Sequence, residues 1–384
     1  MLDALQNDVE LAGASAVALD SSSRFRHHQW VAVESIQQTR RRSNAPMMTD
    51  VAKLAGVSVG AASMALRDHA RISVETKLRV RAAAAELGYV RNAAGRMLRE
   101  QRAGAIAVVV PNTSRHVFGH AYFMHLLTGI SEVANRRDNV VMISTNADAE
   151  HGVAAYERIL RSGQVDGVII ASAALDDPYV ERMVESGLPI VLVGENHDLD
   201  DVAAVSLRDV EAAASITRHL VEDHGHRRIA HIAGPLGHQT GRDRFAGFVE
   251  AMGNQFDEAL VRSGTYDEES GALAMSSLID ARLSFSAVFC ANDEMAYAAM
   301  TVAAAAGLRI PQDVAVVGFD DFGLARVVTP ALTTIRVPAQ EMGRIAADLL
   351  FGVVDGASAR HVVVEVDIVL RQSCGCLANQ TART

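Results

Sequence analysis

The sequence predicts two parts: an N-terminal all-α helix-turn-helix headpiece, and behind it an α/β core of two doubly wound parallel-sheet subdomains. Three observations carry this. Residues 48–90 hold paired helix-start signals around a glycine-containing turn, which is the helix-turn-helix plan. From residue 105 near-continuous apolar strands alternate with amphipathic stretches, the pattern of parallel sheets covered on both faces. Eight such strands are too many for one compact open sheet, so two sheets are the economical solution.

The elements follow in order. Residues 1–47 keep neither the strand nor the helix period, include SSSRFRHH and TRRRSNAP, and read as an extension with little stable structure. Residues 50–55 form a short helix with Val51, Leu54 and Ala55 on one face, stopped by Gly56. Ser58 is a good N-cap for a second helix reaching Leu66. Ser73 opens a third, in which Val74, Leu78, Ala82, Ala85 and Leu87 recur at helical spacing until Gly88. Residues 91–102 are a hinge and linker. Asn92 can cap a short helix ending near Leu98, but Gly95 makes it marginal alone, so it suits a segment that folds on DNA; an ordinary linker is the plainer reading.

The core, residues 103–373, is expected to place strands at 105–110, 140–145, 167–171, 190–194, 229–234, 287–291, 314–319 and 362–370. A helix spans 210–221, and residues 374–384 form a tail. Ligands of such sheets bind at the carboxyl ends of strands, and a cleft between subdomains receives loops from both.

The net charge of −10 is unevenly spread. Residues 47–102 carry ten Lys or Arg against five acids, whereas residues 103–384 carry 21 against 36. A basic module on an acidic body points to a polyanion partner for the module alone. No apolar run approaches the ~18–20 residues of a membrane helix, so no membrane partner is expected. The first thirty residues lack a secretory pattern and three cysteines cannot build a disulfide scaffold, which implies a reducing cytoplasm.

An enzyme reading finds no GxGxxG and no GxSxG after a strand, no GxxxxGK[ST] and no HExxH. His224 and His226 flank the Gly225 helix stop, and His231 alternates within a strand, so no metal is expected there. Cys374-Gly375-Cys376 lies in a terminal segment without two further ligands in sequence, and Cys290 reads as a core thiol. No cofactor is expected either. On the exposed side of the second helix, Ser58, Val59, Gly60, Ser63 and Met64 can face a major groove, where their small and apolar surfaces suit a thymine methyl. Taken singly, Val59 and Met64 read equally well as packing residues. Leu98 among Arg91, Arg96, Arg99 and Arg102 is similar to the apolar wedge that minor-groove binders insert.

These residues carry a family resemblance. DVAKLAGVSVGAASMAL, ISVETKLRV and ELGYVRNAAGRMLR, continuing through IAHIAGP, TGRDRFAGF, AVFCANDEMA, GLRIPQDVAVVGFDD and TPALTTIRVP, resemble the lactose-repressor (LacI/GalR) family over residues 48–373. The resemblance implies a transcriptional repressor that binds a double-stranded, palindromic DNA operator as a homodimer. Its core would resemble periplasmic sugar-binding proteins and hold a small-molecule effector, a sugar being the commonest type. Val59, Gly60 and Met64 match base-reading positions, with Asn92, Arg96, Leu98 and Arg99 in the hinge. In the core it implies effector contacts from His238, Thr240, Arg242, Phe289, Asn292 and Asp320, while Asp293 and Asp321 read as caps of following helices. The alternative is a solute-binding protein on the same core fold, which would not need residues 48–102. Thermal shifts against small ligands separate the possible effectors.

Overall fold

The computed structural model describes residues 46–89, 102–146, 154–195, 199 and 201–376. The expected extension up to residue 45, the hinge residues Arg91, Asn92, Gly95, Arg96, Leu98 and Arg99, and the tail from residue 377 lie outside the described residues. The chain divides near residue 91 into two units.

The first unit holds α1 (Met48–Ala55), α2 (Val59–Leu66) and α3 (Val74–Glu86). Gly56 ends α1 at φ 64, a left-handed conformation that a side chain would strain. The Ser58 and Ser73 hydroxyls cap α2 and α3, accepting from the Ala61 and Thr76 N–H groups at 3.2 and 3.3 Å. Two expectations are corrected. Val74 and Leu78 are exposed, and the buried stripe of α3 is Val80, Ala83 and Ala84. Small Ala83 and Ala84 meet Ala52, Ala55, Ala62 and Ala65, so the helices approach closely and the bulkier residues turn outward. Lys77 and Arg81 fix that rotation by pairing with Asp68 at 3.0 and 3.2 Å. Leu54 is exposed for the same reason, Ala52 having taken the inner position on α1.

The second unit begins with β1 (Ala105–Thr113), α4 (Ser114–Gly119), α5 (Ala121–Arg136), β2 (Val140–Asn146) and α6 (Ala154–Ser162). It continues through β3 (Gly167–Ala171), α7 (Pro178–Glu185), β4 (Ile190–Val193) and β5 (Ala203–Leu207). Then come α8 (Asp209–Arg218), extended by a π-helical turn at His219–Asp223, β6 (Ile229–Ala233), α9 (Gln239–Met252), β7 (Val261–Ser263) and α10 (Glu268–Asp280). The chain ends with β8 (Ala287–Cys290), α11 (Asp293–Ala305), β9 (Ala315–Val317), α12 (Leu324–Val327), β10 (Thr334–Arg336), α13 (Ala339–Val354), β11 (His361–Val364) and β12 (Asp367–Val369).

Among the described residues these make a parallel six-stranded sheet, β11-β5-β4-β3-β1-β2, and a parallel four-stranded sheet, β7-β6-β8-β9. An antiparallel pair, β10-β12, completes them. Each large sheet has its first strand flanked by later ones, which creates a switch point where crossovers diverge. The predicted strand 362–370 is two strands. β11 extends the six-stranded sheet beside β5, and β12 pairs with β10, the chain crossing between subdomains at exposed Glu365. Strands β5, β7 and β10 were not predicted; two of them are only three residues long.

One close approach positions the site. A Cβ at Gly247 on α9 would run into the Val210 carbonyl on α8, so these helices touch backbone to backbone. That contact brings the first turn of α8 beside Arg244.

Candidate functional site: a cleft between the core subdomains

A cleft of about 410 Å³ opens where the carboxyl ends of the two sheets face each other. The six-stranded sheet contributes loops after β1, β3 and β4, and the four-stranded sheet contributes loops after β6, β7, β8 and β9. The loops also meet directly: the Leu175 N–H donates to the Gly237 carbonyl at 2.9 Å.

The floor is built on Arg244. Its Nε donates to Asp209 Oδ1 at 2.8 Å, and Nη1 donates to the Ala291 carbonyl at 2.6 Å and lies 3.7 Å from Asp320 Oδ1. The guanidinium carbon sits 3.6 Å above the Phe319 ring. Desolvation opposes its charge, but Asp209 and Asp320 outweigh that and hold the guanidinium ionised. Two carboxylates around one buried cation leave a negative excess. Burial pushes the Asp320 carboxyl well above the usual range, and Arg244 pulls it only part of the way back. Asp320 also has φ 125, a strained backbone held by hydrogen bonds to the Ile335 carbonyl and from the Val337 N–H.

Around that floor stand groups able to donate and accept. Tyr266 Oη is buried and meets no hydrogen-bond partner, although a phenol hydroxyl ordinarily finds one. The His116 and His120 rings lie 4.2 Å apart. Burial, reinforced by His120, pushes His116 down to about 4, so it presents a neutral imidazole at neutral pH. Burial lowers His238 too. Tyr122 and Phe123, at the start of α5, supply aromatic surface.

Of the residues singled out from sequence, His238, Thr240, Asn292 and Asp320 line the cleft. Asn292 is already engaged: Oδ1 caps α11 by accepting from the Met295 N–H, and Nδ2 donates to the Tyr266 carbonyl and Glu294 Oε2. Arg242 and Phe289 are corrected. Arg242 is exposed and its Nε donates to the Leu236 carbonyl at 2.8 Å. Residues two apart point to nearly opposite sides of a helix, so Arg244 enters the cleft and Arg242 leaves it. Phe289 lies inside β8, fully buried, with its ring centroid 4.8 Å from that of His231.

The caps assigned to the two acids also differ. Asp293, which burial pushes up to about 8, accepts from Thr334 Oγ1 at 2.6 Å and from the Asp321 N–H at 2.7 Å. Asp321 pairs with Arg371 and Arg336 at 2.5 and 2.9 Å. Both fasten the crossing strands rather than cap a helix.

Sequence reasoning missed Arg244, Asp209, Tyr266, Glu294, His116 and His120. Asp209 follows the unpredicted β5, so its place at a strand end went unseen. In the first unit, Val59 and Gly60 are exposed on the opening turn of α2, Ser58 is exposed, and Ser63 and Met64 are half-buried. A Cβ at Gly60 would meet open space. The inner side of α2 is formed by fully buried Ala62 and Ala65.

A helix-turn-helix unit on one chain with a two-lobed binding core defines a ligand-responsive, DNA-binding transcriptional regulator. This chain belongs to the LacI family. Residues 47–92 match the family of bacterial regulatory proteins, lacI family, and residues 103–372 match the periplasmic binding proteins and sugar binding domain of the LacI family. It is 35% identical over 347 residues to the HTH-type transcriptional regulator CelR of Thermobifida fusca, covering 88% of this chain and 99% of that one. The HTH-type transcriptional repressor CytR of Escherichia coli (strain K12) is 30% identical over 349 residues, at 88% and 99% coverage. Among solved structures, a CelR–cellobiose complex matches with TM-score 0.66 and 32% identity, covering 85% of this chain and 99% of that one. The lac repressor dimer bound to operator and the anti-inducer ONPF matches with TM-score 0.76 and 26% identity, at 86% and 99% coverage. The family is one of regulators rather than enzymes. No helix among the described residues is long and apolar enough to cross a membrane.

Proposed function

We propose that this chain is a cytoplasmic repressor that binds a palindromic operator as a homodimer and is controlled by a sugar held in the cleft. One observation carries the ligand class: buried Arg244 between Asp209 and Asp320, with the unpartnered Tyr266 hydroxyl beside them. Adjacent sugar hydroxyls need fixed donors and acceptors side by side, and carboxylates, guanidinium and phenol supply both. Tyr122 and Phe123 offer apolar surface to the C–H faces of a ring. His238 and Thr240 border the same space. The CelR–cellobiose match supports this chemistry.

Residues 48–90 act as the headpiece, residues 91–102 as the hinge and residues 103–373 as the effector core. Val59, Gly60 and Met64, with Ser58 and Ser63, present α2 to the major groove. Asn92, Arg96 and Arg99 hold the hinge on the phosphates, and Leu98 wedges a central base step. Exposed Lys53, Arg67, Arg71 and Arg79 add phosphate contacts, so affinity falls steeply with salt.

The test is a thermal-shift panel of sugars and nucleosides on the full chain, paired with selection of bound genomic DNA. A sugar at a hundred times its Kd stabilises the protein by about 2.7 kcal/mol, and the selected DNA contains an inverted repeat. Stabilisation by nucleosides and by no sugar would replace the ligand class; selected sites without inverted symmetry would remove the dimeric operator.

A further inference from the structure

We propose that His219, His224, Cys374 and Cys376 form a closed, tetrahedral zinc site that fastens the C-terminal segment to the end of α8. In sequence the two thiols had no partners; the fold brings two imidazoles to them across some hundred and fifty residues. One ligand atom from each of the four side chains lies within 4.8 Å of the others. His224 Nε2 is 3.2 Å from His219 Nε2 and 3.3 Å from Cys376 Sγ. His219 Nε2 is 3.5 Å from both Cys374 Sγ and Cys376 Sγ. Around zinc, with its usual bond lengths, tetrahedral edges are about 3.3 Å between nitrogens and about 3.6 Å between nitrogen and sulfur. The four separations given match those edges, and the two remaining pairs, His224–Cys374 and Cys374–Cys376, lie within 4.8 Å, so a small inward shift of side chains closes the tetrahedron.

Hydrogen bonding alone accounts poorly for the cluster. His219 Nε2 faces three partners, yet a ring nitrogen has either one proton or one lone pair to offer. Its other nitrogen, Nδ1, is 2.7 Å from Asp223 Oδ2. A carboxylate there keeps the proton on Nδ1 and turns the Nε2 lone pair inward, the arrangement typical of metal-bound histidine. Thr333 Oγ1 donates to Cys374 Sγ at 3.0 Å, a contact that holds this sulfur in place and would stabilise the thiolate formed on metal binding.

The backbone is shaped to the same end. The π-helical turn His219–Asp223 is the one interruption of regular α-helix leaving α8, and it lets residues five apart converge. Gly375, between the cysteines, has φ 102, which other residues adopt only under strain. That bend lets both thiols point the same way.

Two thiolates and two imidazoles select zinc over harder cations, and the thiolates cancel its charge, so burial is tolerated. All four positions are filled by protein atoms, which makes the site structural. Residues 372 and 373 already bond to the Ala331 carbonyl, and Ser373 Oγ to the Val316 carbonyl. The metal would secure the remaining end of that strap to the helix whose opposite end carries Asp209.

The experiment uses full-length protein, reduced and freed of metal by chelation, titrated first with cobalt(II) and then with zinc. Expected are one cobalt per chain, the intense visible bands of tetrahedral coordination, a thiolate-to-cobalt charge-transfer band, and displacement of all three signals by zinc. Binding releases protons from both thiols and raises the thermal midpoint. Cys376→Ser and His224→Ala lose the tetrahedral spectrum, whereas Asp223→Asn keeps it with affinity 10- to 100-fold weaker, as about that range follows from losing an outer partner. An octahedral cobalt spectrum in the wild-type protein, no saturable binding, or an unchanged charge-transfer band in Cys376→Ser would each overturn the site.

Discussion

Arg244 and Asp209 meet at 2.8 Å beneath the cleft, joining a helix that leaves the six-stranded sheet to one that belongs to the four-stranded sheet. Both side chains are nearly enclosed, at 7% and 11% exposure. The pair therefore serves two ends: it ties the subdomains at the floor and sets the charge that a ligand meets.

Removing the cation exposes the cost of that arrangement. Arg244→Ala leaves Asp209 and Asp320 buried without their shared partner, and such a loss costs about 3–5 kcal/mol. The urea midpoint should fall accordingly while the slope stays constant, since the surface exposed on unfolding is little changed. A midpoint within experimental error of wild type would show that the two carboxylates are not held by Arg244.

Tyr266→Phe separates binding from folding. The hydroxyl has no partner in the protein, so its removal should leave the thermal midpoint unchanged or slightly raised. A ligand that uses it should bind about 2- to 12-fold more weakly, the range of one neutral hydrogen bond. Asp320→Asn keeps the shape and tolerates the strained backbone, and should weaken a ligand bonded to this carboxyl by about 2- to 12-fold, the range for a group that burial holds towards its neutral form. Calorimetry on both variants measures this directly, and unaltered affinity in both would move the ligand away from this floor.

His231 gives the core a defined acid sensitivity. It lies fully buried among Phe245, Phe248 and Phe289, with Nδ1 donating to the Phe289 carbonyl at 2.9 Å and Nε2 without a partner. Burial pushes its pKa down to about 4, against 6.5 ordinarily. Because the folded value is depressed, the unfolded chain takes up a proton before the folded one does. The stability it contributes is complete above pH 6.5 and is lost as pH falls towards 4. Relative to His231→Phe, the wild-type unfolding free energy should drop by about 1.4 kcal/mol per pH unit in that window. Parallel pH profiles for the two proteins would contradict this.

The sequence made the sheets legible because burial on both faces forces continuous apolar runs, and β1, β3, β4, β6 and β8 have them. Caps were equally plain: Ser58, Ser73 and Gly56 act through local chemistry that neighbours cannot easily override. Helix rotation was not legible. Two stripes at helical spacing compete on α3, and only the fit of Ala83 and Ala84 against the other helices decides between them. The choice between Arg242 and Arg244 is the same problem, settled by Gly247 against α8. The thiol–imidazole cluster was hidden more deeply, since a π-turn and a chain return at the C-terminus are tertiary outcomes.

The first turn of α2 offers a test that separates folding from DNA contact. Ser58 Oγ accepts the Ala61 N–H, satisfying one of the donors that every helix start leaves open. Ser58→Ala removes that acceptor and should cost the headpiece about 1 kcal/mol. Ser58→Asp preserves the cap and adds a negative charge at the positive end of the helix, so headpiece stability should hold or rise slightly. Against DNA the same charge works the other way. If α2 enters the major groove by its exposed N-terminal turn, the carboxylate faces phosphates. Operator affinity should then fall by about tenfold, near 1.4 kcal/mol. Circular dichroism melting and fluorescence anisotropy with labelled duplex measure the two quantities independently. Ser58→Asp binding as tightly as wild type, with its melting transition intact, would mean that this turn does not approach the duplex and that another face of the headpiece does.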